Sequence, residues 1–136
     1  KILLKKSKLM KKEFEEIKKH PQIAADILRP VHFFHSLIPV ILYHHERWDG
    51  KGYPSNLKDD EIPLGTRIIA IADVYQALTS DRPYRKALEI DMVLKELEKC
   101  SGTQFDQRVV NAFLERMERK PENFHGIIKP KDIANR

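Results

Sequence analysis

Three features of the amino-acid sequence predict an all-α fold. Apolar residues recur at the spacing of a helix face in several segments, no segment alternates as a strand does, and residues 65–80 (GTRIIAIADVYQALTS) are apolar almost all round. A chain of 136 residues with 41% hydrophobic residues has the size of one domain with one core. We therefore expect a helical bundle in which residues 65–80 form the central, most buried helix.

The composition excludes several classes of protein. No apolar run approaches the roughly 20 residues that a membrane-spanning helix needs, and no signal peptide is recognisable. The single cysteine, Cys100, cannot form an intrachain disulfide, which favours a reducing compartment and hence the cytoplasm. Residues 1–20 hold eight Lys and three Glu and carry the whole net charge of +5, which favours a solvated helix over a nucleic-acid-binding face.

Helical spacing is visible near the start of the chain. Phe14 and Ile17 mark the apolar side of a helix in KKEFEEIKKH, and Ile23 and Ile27 continue the pattern after Pro21, which suits a first helical turn. These residues form either two helices or one helix kinked at Pro21.

A buried helix and a long loop follow. The segment HSLIPVILYHHE is expected to be helical and to end at His44 and His45. Residues 47–63 (RWDGKGYPSNLKDDEIP) have the glycine, proline and aspartate content of a loop. A loop of this length is usually functional or disordered.

Asp73 breaks the pattern of the apolar segment 65–80. An aspartate is unfavourable inside a helix, and its burial there is costly unless the carboxylate is paired or holds a metal. Asp73 is therefore the strongest pointer to a functional site that the pattern alone provides.

Two further helices complete the predicted bundle. The helix in DMVLKELEKCSG is expected to begin at an N-cap, Asp91, and to stop at Gly102, and Asp106 is the expected N-cap of the helix in DQRVVNAFLERMERK. We assign one domain to residues 1–120 and an irregular tail to residues 121–136.

Four residues offer the donors that divalent metals use in hydrolytic sites, namely imidazole nitrogen and carboxylate oxygen: His20, His44, His45 and Asp73. Adjacent residues of a helix point about 100° apart, so His44 and His45 would serve two neighbouring ions or one ion near the helix end. His20 could equally be an exposed helix terminus. Spacing alone leaves metal binding open.

The motifs HHERWDGKGYP, IPLGTRIIAIADVYQALTSDRPYRKA and GTQFDQRVVNAF, in this order, resemble the HD-GYP family of bacterial cyclic di-GMP phosphodiesterases. The segment LLKKSKLMKKEFEEIKKHPQIAADIL is similar to the part of that family that leads into a metal-binding histidine, so the likeness covers residues 1–117. The resemblance implies the helical bundle of HD-domain phosphohydrolases.

The resemblance also implies a metal centre. It makes His20, His44, His45 and Asp73 metal ligands of an iron or manganese centre with two or three ions in the complete domain. The attacking group is then expected to be a metal-bound hydroxide rather than a side chain, so no catalytic side chain is assigned. His32 and His35 lie in an apolar segment that the family does not use for ligands, and we do not assign them to the site.

Substrate-binding roles follow from the same resemblance. Tyr53 is expected to contact the dinucleotide and Arg82 and Arg85 to hold its phosphates, because guanidinium offers a planar fork to phosphate oxygens. The motif loop consists of Asp49, Gly50, Gly52, Tyr53 and Pro54. The alternatives are that Tyr53 packs on the turn and that the two arginines pair with Asp81 or with a helix end.

One departure from the family concerns its name-giving His-Asp pair, which lies upstream of LLKK there. No His-Asp dipeptide occurs in this sequence. We expect a fragment of a longer protein rather than a degenerate domain, with a partial or empty metal site and little activity of its own. Exposed apolar surface would then favour a homodimer.

The predicted function is metal-dependent hydrolysis of cyclic di-GMP in bacterial second-messenger signalling. The alternative is an inactive signalling module that binds cyclic di-GMP, or a diguanylate cyclase (GGDEF) domain, through the loop DGKGYP. A hydrolase for another phosphorylated nucleotide is a third interpretation.

Overall fold

A computed structural model describes residues 10–81 and 85–119, and these residues confirm the all-α prediction. They form six helices: α1 Lys11–Ile17, α2 His20–Leu28, α3 Ile38–Tyr43, α4 Leu64–Thr79, α5 Ile90–Lys99 and α6 Gln107–Arg119. Short 3-10 turns lie at His32–Phe34 and Asp59–Glu61. Within the described ranges no residue lies in a β-strand, and no helix is long and apolar enough to cross a membrane.

The hydrophobic core lies between α4, α5 and α6. Its buried members are Ile71, Val93, Leu97, Phe105 and Val110. Val93 and Leu97 are one turn apart on α5 and are both fully buried, because the apolar stripe of that helix faces the other two. This three-helix core holds most of the buried hydrophobic residues of the described structure.

The first three helices bury fewer residues than the last three. The alternatives of two helices or one kinked helix are resolved in favour of two, with Pro21 in the first turn of α2. Helix α2 contacts α3, and α3 contacts α4. The buried residues of α2 are Pro21 and Ala25, whereas α3 is half-buried rather than buried and begins at Ile38.

The expectation that α4 is buried on all sides is wrong. Thr66 and Ile71 are buried, but Ile68 and Ile69 are 49% and 45% exposed and Asp73 is also exposed. The reason is that α3, α5 and α6 pack against only part of the circumference of α4. Asp73 lies one turn after Ile69 and therefore shares its uncovered face.

Three residues were predicted to mark the ends of the last two helices, and two of these predictions agree with the structure. Glu89, not Asp91, precedes the first residue of α5, so Asp91 lies in its first turn, where an acidic residue still favours the helix dipole. Gly102 has a φ of +73° just after α5, which a glycine adopts without strain. The Asp106 carboxylate accepts a hydrogen bond from the backbone N–H of Arg108 at 2.9 Å, as an N-cap does.

Candidate metal centre

A cluster of three histidines lies where the start of α2 meets the end of α3. His20 is the first residue of α2, His44 follows the last residue of α3, and His45 comes next. One ring nitrogen from each lies within 4.8 Å of the others. Because α3 already ends at Tyr43, the 100° separation of helical neighbours does not keep His44 and His45 apart.

The hydrogen bonds of two rings fix which nitrogen carries the proton. Nδ1 of His20 lies 2.7 Å from the carbonyl oxygen of Ile17, and Nδ1 of His44 lies 2.7 Å from that of Ile41. A carbonyl oxygen only accepts, so each Nδ1 donates its hydrogen and each Nε2 of a neutral ring keeps a bare lone pair. This is the arrangement of metal-binding histidines, whose other nitrogen is usually held by a carbonyl or carboxylate.

The two free nitrogens face each other. Nε2 of His20 and Nε2 of His44 are 3.2 Å apart. When both rings are neutral their lone pairs repel at this separation, and a metal ion or a proton shared by the two nitrogens removes the repulsion. The donor set therefore fits the metal ion that the sequence predicts.

His45 is the third member of the cluster, and its surroundings lower the pKa of its ring. Burial, followed by the neighbouring His44 and His20, lowers the pKa of His45 from 6.5 to about 4, and the Asp73 carboxylate opposes the shift. Its ring is 4.0 Å from the ring of His44 and 4.9 Å from that of His20, measured between centroids. His45 is therefore neutral near pH 7, which is the form that coordinates metal.

Asp73 lies near the cluster but outside the group of atoms within 4.8 Å. Its negative charge is nevertheless close enough to act on the pKa of His45. The structure thus brings three of the four predicted metal ligands together and leaves the fourth beside them.

The motif loop reaches the cluster through Tyr53. Its ring stacks on the ring of His45 with centroids 4.8 Å apart, and its backbone N–H donates to the His45 carbonyl at 3.2 Å. This approach requires a glycine before it, because a Cβ at Gly52 would lie 2.5 Å from the Arg47 nitrogen and 2.6 Å from the His45 oxygen. Gly50 has a φ of +73°, and Pro54 is exposed.

Asp49 stiffens the start of this loop. Its carboxylate accepts two hydrogen bonds from the guanidinium of Arg47, at 3.0 and 2.8 Å. These bonds lower the pKa of Asp49 to about 2, assisted by the backbone N–H of Lys51 and opposed by burial. The backbone N–H of Asp49 also donates to the carbonyl of Thr103 at 2.8 Å, so the loop is tied to the segment after α5.

Glu46 is a buried residue beside the site that sequence reasoning missed. It directly follows His45, is 4% exposed, and accepts a 2.6 Å hydrogen bond from the backbone N–H of Ser55 across the loop. A carboxylate next to paired histidines was a visible signal, but its partner nine residues later was not predictable from the sequence.

An ion-pair network around Trp48 was also missed. Asp106, 3% exposed, accepts from Arg67 at 2.8 Å and from Arg108 at 2.9 Å, and both arginines also bond Asp60. The carbon atoms of the two guanidinium groups lie 5.6 and 5.3 Å from the centroid of the Trp48 ring. The network joins the loop to α4 and α6.

Of the two predicted phosphate-binding arginines, the described residues include Arg85. Nη2 of Arg85 donates to the carbonyl oxygen of Ala77, in the last turn of α4, at 2.6 Å. This contact matches the alternative in which the arginine holds a helix end. Arg82 lies outside the described residues, as do residues 1–9 and the tail 121–136.

The helical bundle and the three histidine nitrogens define a helical domain with a candidate metal-binding site at its helix ends. The chain belongs to the HD-domain family, whose model matches residues 1–109 and whose members are metal-dependent phosphohydrolases. This family assignment and the relatives below confirm the resemblance inferred from the motifs.

Relatives with assigned activities support the same family. A cyclic di-GMP phosphodiesterase of Vibrio cholerae is 42% identical over 120 residues, which cover 83% of this chain and 24% of that protein. A 3'3'-cGAMP-specific phosphodiesterase of the same organism is 36% identical over 90% of this chain and 27% of that protein. The chain therefore spans about a quarter of the length of these relatives.

The fold agrees with a solved structure. A crystal structure of a cyclic GMP-AMP-specific phosphodiesterase of Vibrio cholerae superposes with a TM-score of 0.64 and 24% sequence identity, covering 81% of this chain and 25% of that one. This likeness supports the all-α HD-domain fold.

Proposed function

We propose that the chain is a metal-dependent phosphodiesterase domain that hydrolyses cyclic di-GMP in bacterial second-messenger signalling. The observation that carries the proposal is the pair of Nε2 atoms of His20 and His44, which face each other at 3.2 Å with their Nδ1 atoms held by carbonyl oxygens. The cyclic di-GMP phosphodiesterase to which the chain is 42% identical supports the choice of substrate.

The proposed metal is iron or manganese, held by His20, His44, His45 and Asp73. Imidazole nitrogens with a carboxylate suit these ions, and no cysteine of the described residues joins the cluster. When bound, such an ion supplies Lewis-acid stabilisation of the negative charge on phosphoryl oxygens. The carbonyls of Ile17 and Ile41 keep two of the rings in the tautomer that can bind it.

The remaining residues of the proposed site orient the substrate. Tyr53 is proposed to contact the dinucleotide, and its stacking on His45, one of the proposed metal ligands, supports this role. Arg85 uses one donor on Ala77 and has four other N–H donors, so it can hold a phosphate without releasing the helix end. Arg82 is proposed for the same role.

The test is turnover of cyclic di-GMP under anaerobic Fe(II) and Mn(II), with the products separated by chromatography. It is run on the complete gene product that carries this sequence and on residues 1–136 alone, with 3'3'-cGAMP as a second substrate because one relative is specific for it. We expect hydrolysis of cyclic di-GMP by the complete protein.

His44→Ala should abolish this turnover, whereas His32→Ala should not, because His32 contacts His35 and lies outside the cluster. Faster turnover of 3'3'-cGAMP would change the proposed substrate. Binding of cyclic di-GMP without hydrolysis of either compound would refute the enzymatic function and favour the signalling module.

Several expectations stay predictions. They are the cytoplasmic location, a homodimer, a diguanylate cyclase partner, and a domain that ends at residue 120. Lys51 and Pro54 are exposed on the motif loop, which is the surface that a cyclase domain would contact.

A further inference from the structure

Two neighbouring lysines after α1 make the same local ion pair but face different surroundings. Nζ of Lys18 lies 2.9 Å from Glu15, and Nζ of Lys19 lies 2.6 Å from Glu16, both three residues back along the chain. The Lys18 side chain is 33% exposed, whereas that of Lys19 is 58% exposed. Lys18 is therefore the member that packs against the protein.

Lys18 packs against two aromatic rings. Its ammonium lies 5.0 Å from the ring centroid of Phe14 and 5.9 Å from that of Tyr53, both within the range of cation–π attraction. The two rings meet edge to face with centroids 6.3 Å apart. Since Tyr53 stacks on His45, a continuous series of contacts joins Lys18 to the histidine cluster.

We propose that Lys18, beside Tyr53, is a binding residue for a phosphate group of the nucleotide substrate at the edge of the histidine cluster. This inference rests on the proposed function. Neither the motifs of the chain nor the relatives assign a role to Lys18.

The chemistry of the contacts supports a phosphate rather than a neutral ligand. A lysine ammonium carries a compact charge and three donors, and the aromatic rings hold it in place beside the site. Its present partner, Glu15, is a solvent-exposed carboxylate, and exposed ion pairs contribute little free energy. A phosphate that is also held by the metal centre can therefore replace Glu15.

The pair of lysines supplies its own control. We would measure the dissociation constant of cyclic di-GMP by calorimetry for the wild-type chain, Lys18→Met and Lys19→Met, at two salt concentrations. Methionine keeps an unbranched side chain on the rings and removes the charge together with the three N–H donors. We expect a loss of affinity of about tenfold for Lys18→Met and less than about twofold for Lys19→Met, with a weaker salt dependence in the former.

Substituting the acidic partner of Lys18 should change the affinity for the dinucleotide in the opposite direction. Glu15→Gln should tighten binding, because it frees Lys18, whereas Glu16→Gln should not. Lys18→Arg should retain most of the affinity. These variants keep the inference testable if Lys18→Met does not fold.

The inference is overturned if Lys18→Met and Lys19→Met weaken binding equally, or if the wild-type chain does not bind the dinucleotide. Binding with the expected difference between the lysines but without turnover would refute the proposed enzymatic function and leave this inference standing. Turnover by the complete protein with no difference between the lysines would refute the inference about Lys18 and leave the proposed enzymatic function standing.

Discussion

The two halves of the described structure differ in the burial of their side chains and in chemistry. The half formed by α4, α5 and α6 contains the fully buried side chains of Val93 and Leu97, whereas the half formed by α1, α2 and α3 leaves Ile23 and Ile27 54% and 69% exposed. The histidine cluster lies in the more exposed half, at the ends of α2 and α3. The buried core that stabilises the fold and the histidine cluster of the candidate site therefore lie on different helices.

The loop between α3 and α4 connects the two halves. Its backbone bonds Thr103 and Gln104, and its Trp48 ring lies against the arginines that Asp106 holds. Tyr53, further along the same loop, stacks on His45. The loop thus links the histidine cluster to the core formed by α4, α5 and α6. Each prediction changes a residue of the core, of the cluster or of this loop.

The largest expected effect on stability comes from the core. Leu97→Ala should lower the free energy of unfolding by about 2–5 kcal/mol, because Leu97 is fully buried among the side chains of three helices. Ile27→Ala should change it by less than about 0.5 kcal/mol, since Ile27 is 69% exposed. Denaturant unfolding measures both. A comparable loss in the two variants would contradict the difference between the halves.

The next effect concerns metal affinity rather than stability. His20→Ala should weaken Mn(II) binding by about a hundredfold or more, because it removes one of three clustered nitrogens. Without metal the free energy of unfolding of the variant should differ little from that of the wild type, because His20 is exposed. Calorimetric metal titration and denaturant unfolding measure the two quantities.

His35→Ala is the matched control for His20→Ala. His35 is also a histidine bonded to a backbone carbonyl, that of Arg29, but it lies outside the cluster. Equal metal affinity in the His20→Ala variant and the wild type would exclude His20 as a ligand.

The sequence predicted the parts of this arrangement that local pattern determines. Helical spacing placed the helices, and the motif containing His44 and His45 pointed to the cluster. The exposure of Asp73 was not predictable, because the burial of one face depends on which helices pack against it. The bond from Arg67 to Asp106, 39 residues apart, depends on tertiary packing in the same way.

A smaller effect is expected at the tight approach of the loop. Gly52→Ala should lower the free energy of unfolding by about 1–3 kcal/mol, because the added carbon would meet backbone atoms at 2.5 Å and force the loop outwards. The displacement should also separate Tyr53 from His45 and weaken dinucleotide binding. Gly65→Ala is the control, since its Cβ would meet only the Val40 side chain, at 3.2 Å. Equal losses of dinucleotide binding in both variants would argue against this role of Gly52.

The smallest effect is the pH dependence contributed by Asp49. Its pKa is about 2 in the folded protein, below its ordinary value of 3.8, so between these values the unfolded chain binds more protons than the folded one. The stabilisation is complete above pH 3.8 and is lost as the pH falls towards 2. It is small because Arg47 and Asp49 remain 34% and 19% exposed. The difference in unfolding free energy between the wild type and Asp49→Asn should therefore shrink over this range. A difference that does not change with pH would show that the pair does not hold the loop through its charge.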